Sequence, residues 1–130
     1  MCIRDSYYFA DFFNADSGLV AALHVLAALA EQDAPLSELM AEYNRYAASG
    51  EINSEVADQD ATTQRVLDAF ADRTEKLDRL DGVTVWLKDT KAWFNVRASN
   101  TEPLLRLNVE AETEQEVQEL VEEILGIIRA

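Results

Sequence analysis

Between two apolar runs, the stretch Arg97-Ala98-Ser99-Asn100-Thr101-Glu102-Pro103 gathers a guanidinium, two hydroxyls and a carboxamide. These groups, on Arg97, Ser99, Asn100 and Thr101, suit a phosphate dianion. Arginine presents a planar fork of donors matched to phosphate oxygens. Serine and threonine hydroxyls add rotatable donors, and consecutive turn amides can converge on an anion. The same small polar residues also make ordinary turns, and an arginine at a strand end is often only a solvated charge. Local charge favours the anion. From Lys88 to Arg106 four basic residues (Lys88, Lys91, Arg97, Arg106) stand against two acidic ones (Asp89, Glu102), in a chain of net charge −14. An anion is repelled by most of this surface and tolerated here.

Other chemistries find little support. The single cysteine, Cys2, excludes an internal disulfide and a cysteine-based metal site. One histidine, His24, leaves little for a His-ligated metal or a Ser-His pair. It sits in an apolar run and reads as a packed core residue. Asp58-Gln59-Asp60 offers two carboxylates, but no third carboxylate or glycine completes a metal loop, so it reads as a helix cap. No metal ligand is therefore assigned. The strong negative charge argues against nucleic acid, whose binding rests on Lys and Arg neutralising phosphates. Leu19–Ala30 is almost continuously apolar but too short to span a bilayer. Asp5, Asp11 and Asp16 ahead of it have the wrong sign for a signal peptide. A soluble, cytoplasmic protein with no membrane partner is expected.

The elements around the polar stretch follow from periodicity. Ahead of it, Trp93-Phe94-Asn95-Val96 alternates as a strand with one face buried. Behind it, Leu104 to Ala111 places Leu105, Leu107 and Val109 inward. Pro103 stops a ladder between them. Val83-Thr84-Val85-Trp86-Leu87 follows the Asp81-Gly82 turn and forms a hairpin with the Trp93 strand. Ile52, Ser54 and Val56 alternate in another strand. Helices are expected from about Ala61 to Thr74, with Val66, Leu67 and Phe70 inward, and after the capping box Thr113-Glu114-Gln115-Glu116. The last helix carries a continuous stripe of Val117, Leu120, Val121, Ile124, Leu125 and Ile128.

Upstream the pattern differs. Tyr7-Tyr8-Phe9 and Phe12-Phe13 form an aromatic cluster with no periodicity. Asp16-Ser17-Gly18 signals a helix start, and the helix Leu19 to Glu31, apolar nearly all round, reads as buried. A shorter amphipathic helix, Leu36 to Tyr46, precedes the linker-like Ala47-Ala48-Ser49-Gly50. The reading is therefore two parts: residues 1–49, a helical remnant of an α/β domain, and 50–130, a small α+β domain. From residue 51 its order is strand, helix, three strands, helix: an antiparallel sheet with two helices on one face. Nothing in that layout by itself says enzyme.

The stretch Arg97–Pro103 with Leu104–Ala111 resembles the phosphate-binding loop in the C-terminal domain of the α-D-phosphohexomutases, and most of all that of bacterial phosphomannomutase/phosphoglucomutase. Ser49-Gly50-Glu51-Ile52-Asn53, Leu80-Asp81-Gly82-Val83 and Tyr8-Phe9 through Ala15-Asp16-Ser17-Gly18-Leu19 resemble runs of the same family, so the resemblance spans about residues 7–125. It implies a four-domain cytoplasmic enzyme that moves phosphate between C1 and C6 of a hexose through a phosphoserine and a bisphosphorylated sugar. It implies a TATA-binding-protein-like C-terminal domain that holds the non-reacting phosphate with Arg97, Ser99, Asn100 and Thr101. It also implies Mg²⁺ as cofactor. Neither the family's Ser-His phosphoserine loop nor its Asp-Gly-Asp-type Mg²⁺ loop occurs in this sequence. Phosphoryl transfer needs both, so no catalytic residue is assigned, and the chain reads as a C-terminal fragment, inactive alone, whose partners are a hexose phosphate and the missing domains. Met1–Ser6 stands where the family carries a sugar-contacting Gly-Glu-x-Ser-Gly-His loop and does not match it: either the start is a foreign or misread sequence or the sugar loop has been lost, and the abrupt beginning of the resemblance at Tyr7 favours the first. A free-standing phosphate- or phosphosugar-binding module and an acidic interaction domain are the alternative readings.

Overall fold

The computed structural model describes residues 7–41, 43 and 45–130. The mismatched start, Met1–Ser6, lies outside them. The chain divides into two compact units, Met1–Arg45 and Tyr46–Ala130.

In the first unit, β1 (Tyr8–Phe9) and β2 (Ala15–Asp16) form an antiparallel pair closed by Phe13 and Asn14, both at positive φ. Helix α1 (Gly18–Ala30) starts where its cap was expected: the Ser17 hydroxyl accepts from Val20 N at 3.2 Å. Its expected burial is not observed. None of its residues is buried, because the unit's other described elements, a two-residue ladder and the six-residue helix α2 (Leu36–Ala41), are too small to cover a helix that is apolar all round. His24 is correspondingly exposed, not a core residue, and its ring stacks on Phe9 at 5.4 Å. Helix α2 also ends earlier than its pattern suggested; Glu42 and Asn44 of that pattern lie outside the described residues.

The second unit is an α+β domain built on one antiparallel sheet. Its strands are β3 (Ala47–Ala48), β4 (Ile52–Glu55), β5 (Thr74–Asp78), β6 (Val83–Leu87), β7 (Trp93–Ala98) and β8 (Leu104–Ala111). The order is β3-β8-β7-β6-β5, with β4 beside β3 on the same edge of β8. Ala47-Ala48-Ser49, read as a linker, is thus part of the sheet. Ser49 exchanges bonds with Val109, donating its N–H at 2.9 Å and accepting at Oγ at 2.9 Å. Gly50, at φ +66°, then redirects the chain into β4.

Strand β5 was not foreseen. Thr74-Glu75-Lys76-Leu77-Asp78 shows no apolar alternation, because it is an edge strand whose central three residues are exposed. Charge on such an edge discourages pairing with another chain. Lys76 still packs, its ammonium 4.7 Å from the Trp86 ring centre.

Helices α3 (Gln59–Phe70) and α4 (Glu114–Ile128) cover one face of the sheet. A 3₁₀ turn, Ala71–Arg73, ends α3 where its helical pattern had been extended to Thr74. Asp58 caps α3 as expected, accepting from Ala61 N at 2.9 Å. The core joins Val66 and Phe70 of α3 and Leu120 and Ile124 of α4 to Val85, Phe94, Val96, Leu105, Leu107 and Val109 of the sheet. Phe70 meets Phe94 edge-to-face at 4.9 Å. Thr113 caps α4, accepting from Glu116 N at 3.2 Å. Replacing such a cap by alanine typically costs about 1 kcal/mol, so Thr113→Ala is expected to lower the unfolding free energy by that amount in urea titration.

The opposite face of the sheet is polar. Register places Trp86 beside Trp93, Thr84 beside Asn95, Asn95 beside Asn108, and Arg97 beside Arg106. Arg97 lies on this face, at the β7–β8 end.

Candidate phosphate site

Arg97 is the last residue but one of β7, with its side chain on the polar face and only 18% exposed. A guanidinium so placed needs anionic partners. Nη1 lies 3.3 Å from Asp81 Oδ2, and Nη2 lies 3.7 Å from Glu51 Oε2. Across the ladder, Arg106 Nη1 is also 3.7 Å from Glu51 Oε2, so one carboxylate stands between two arginines that would otherwise repel. Arg106 Nε is buried and has no hydrogen-bond partner in the structure.

Asp81 reaches Arg97 because the turn after β5 packs directly on β7. Gly82 makes this possible twice over. Its φ is +70°, and a Cβ there would lie 2.5 Å from Val96 O and 2.9 Å from Arg97 Cα. Asn95, buried, ties the turn down by donating from Nδ2 to Asp81 O at 2.9 Å and to Thr84 Oγ1 at 3.1 Å. Replacing Asp81 by asparagine removes the nearer counter-charge of a mostly buried arginine. With Glu51 still close, the expected loss is about 1–2 kcal/mol in urea titration.

Beyond Ala98, which pairs with Leu105, the chain leaves the ladder. Ser99 N–H donates to Leu104 O at 2.9 Å and closes the loop at its base. Pro103 makes the tight turn back, with Leu104 N–H donating to Glu102 O at 2.8 Å. Ser99 is buried, and its Oγ accepts a long bond, 3.5 Å, from Thr101 N–H. Asn100 and Thr101 are exposed at the tip. Arg97 and Ser99 are therefore held against the sheet, whereas Asn100 and Thr101 stand in solvent within the same turn. Two arginines and two carboxylates, Arg97 and Arg106 with Asp81 and Glu51, thus meet at the root of a loop whose tip is open to solvent.

Sequence reasoning missed the residues that brace this loop. Gln59, the first residue of α3, donates from Nε2 to Ser99 O and Glu102 O, each at 3.1 Å, and to Leu104 O at 2.9 Å. Val56 N–H donates to Pro103 O at 3.0 Å. Gln59 lay inside a motif read only for capping, and nothing about a helix-start glutamine announces a contact forty residues away. Glu51 was visible only within a matched run. Asp81-Gly82 was legible as a turn, but not as the turn that holds Arg97. Among the described residues no group of three or more His, Cys, Asp or Glu side chains is placed to hold a metal ion, and no helix is long and apolar enough to cross a membrane.

Residues 51–127 match the family model "Phosphoglucomutase/phosphomannomutase, C-terminal domain". Residues 6–46 match "Phosphoglucomutase/phosphomannomutase, alpha/beta/alpha domain III". The chain is 42% identical over 126 residues to a phosphomannomutase of Methanocaldococcus jannaschii, covering 97% of this chain and 27% of that protein. It is 37% identical to phosphohexose mutases of Xanthomonas campestris, covering 95% of this chain and 28% of that protein. It is 34% identical over 120 residues to a probable phosphoglucosamine mutase of Methanopyrus kandleri, covering 92% of this chain and 26% of that protein. The chain thus spans about a quarter of the length of the curated relatives it matches. The fold resembles a crystal structure of a phosphoglucomutase/phosphomannomutase family protein from Burkholderia thailandensis, with TM-score 0.65 and 22% identity, over 95% of this chain and 27% of that one.

Proposed function

Because the chain belongs to the phosphoglucomutase/phosphomannomutase family, we propose that it is the phosphate-holding C-terminal part of a cytoplasmic mutase interconverting hexose 1-phosphate and hexose 6-phosphate. The observation that carries this reading is the placement of Arg97 on the polar sheet face at the root of the Ser99–Pro103 loop. Arg97, Ser99, Asn100 and Thr101 bind the phosphate that is not reacting. The arginine neutralises it, and the loop donors orient it. Asp81 and Glu51 hold the guanidinium while the site is open; Glu51, at 3.7 Å and half exposed, is the easier of the two to displace.

In the full enzyme a phosphorylated serine would supply the phosphoryl group, with Mg²⁺ as the cofactor of that transfer. The residues described here do not fit that metal, since they gather no cluster able to hold it, and its ligands belong to parts of the enzyme outside this chain. The exposed apolar helix α1 then completes the preceding α/β domain of that enzyme, which supplies the cover it lacks here. Mannose and glucose phosphates are the substrates we assign.

The test is calorimetric titration of the chain with mannose 1-phosphate and glucose 1-phosphate, with ³¹P NMR of the same mixtures. Binding without conversion to the 6-phosphates is expected. Absence of binding contradicts the phosphate-holding role, and conversion by this chain alone contradicts the assignment of the chemistry to other parts of the enzyme.

A further inference from the structure

We infer that Gln59 is a positioning residue for the phosphate loop, setting the direction in which the loop presents its amide donors. The inference rests on the phosphate reading above. One side-chain nitrogen lies within 3.1 Å of three loop-region carbonyls, those of Ser99, Glu102 and Leu104. It carries two protons, which the three acceptors share. With Val56 N–H on Pro103 O, the junction between β4 and α3 takes up the carbonyls of four residues.

Peptide geometry gives this grip a consequence. A trans peptide unit is planar, so its N–H points opposite to its C=O. Holding Ser99 O toward α3 turns the Asn100 N–H away from α3. That helix packs on the apolar face of the sheet, whereas Arg97 stands on the polar face. Gln59 thus aims the Asn100 amide to the side where Arg97 waits. Gln59 itself cannot drift: it opens a helix capped by Asp58, and its own carbonyl accepts from Thr63 Oγ1 at 2.7 Å. Within the loop, the Ser99–Leu104 bond closes the base, and beyond it the long Ser99–Thr101 contact and the Pro103 turn oppose disorder. A loop that must be ordered at the moment of binding gives up affinity.

The substitution Gln59→Met keeps length and neutrality and removes the donor. In the full chain, inorganic phosphate is titrated against the ¹⁵N shifts of the Asn100 and Thr101 amides, with a urea midpoint measured on each protein. The expected result is about a tenfold weaker phosphate affinity in Gln59→Met protein that is still fully folded. A merely structural role would move the urea midpoint and leave the affinity of the folded protein alone. Affinity within twofold of the parent therefore overturns the inference while the phosphate reading stands. If phosphate shifts no loop amide of the parent chain, the phosphate reading falls and this inference with it. Should Gln59→Met not fold, Gln59→Ala removes the same donor with a helix-favouring residue and is judged by the same two outcomes.

Discussion

Gly82→Ala is expected to destabilise the second unit by about 3 kcal/mol and to abolish the arrangement around Arg97. Two costs combine. At φ +70° an L side chain is strained by roughly 1–2 kcal/mol. The added methyl also meets backbone: Val96 O at 2.5 Å and Arg97 Cα at 2.9 Å, and overpacking of this kind costs about 1–3 kcal/mol. Neither neighbour can swing aside, because Val96 and Arg97 are both paired with β8. The turn must lift instead. Lifting it withdraws Asp81 from Arg97 and breaks the bond from Asn95 to Asp81 O. Urea titration measures the first effect, and loss of phosphate binding by the folded fraction measures the second. Stability within about 0.5 kcal/mol of the parent would show that the turn does not press on β7 as described.

Arg97→Lys is expected to weaken phosphate binding about tenfold to a hundredfold with little change in stability. Lysine keeps the positive charge that Asp81 and Glu51 require, so the protein should remain folded. It loses the planar fork that engages two phosphate oxygens at once. A hydrogen bond to a charged group is worth about 1.5–3 kcal/mol, and losing one such bond gives that range of affinity. Calorimetry with inorganic phosphate, beside a urea titration, separates the two quantities. Unchanged affinity would mean that Arg97 serves Asp81 and Glu51 alone.

These two residues also mark how far the sequence could be read. The strands around the loop were legible because each has one buried face: Leu105, Leu107 and Val109 alternate on β8, and Phe94 and Val96 on β7. Helix α4 was legible because Val117, Leu120, Ile124 and Ile128 face one core. Strand β5 was not, since an exposed edge imposes no alternation. Nor was β3, where two alanines and Ser49 pair with β8 without any large apolar residue to announce it. Helix α1 misled, because an apolar sequence states a need for cover and not the presence of it.

In the proposed site, the candidate donors follow from residue type alone: Arg97, Ser99, Asn100 and Thr101 adjoin in the chain. Their supports could not. Asp81, Glu51 and Gln59 reach the loop region only through strand pairing and helix packing, at separations of 16, 46 and up to 45 residues. Local pattern carries no trace of such distances. The family resemblance placed Glu51 and Asp81 in matched runs, but their contact with Arg97 had to come from the fold.

The most direct test of the central claim is an amide and guanidinium ¹⁵N titration of the full chain with mannose 1-phosphate, with mannose as control. Saturable shifts at Arg97 Nε and at the Ser99, Asn100 and Thr101 amides, produced by the phosphorylated sugar and not by mannose, are the result predicted here. Shifts confined to other basic residues such as Arg73 or Lys76, or none at all, would contradict a phosphate site on this loop.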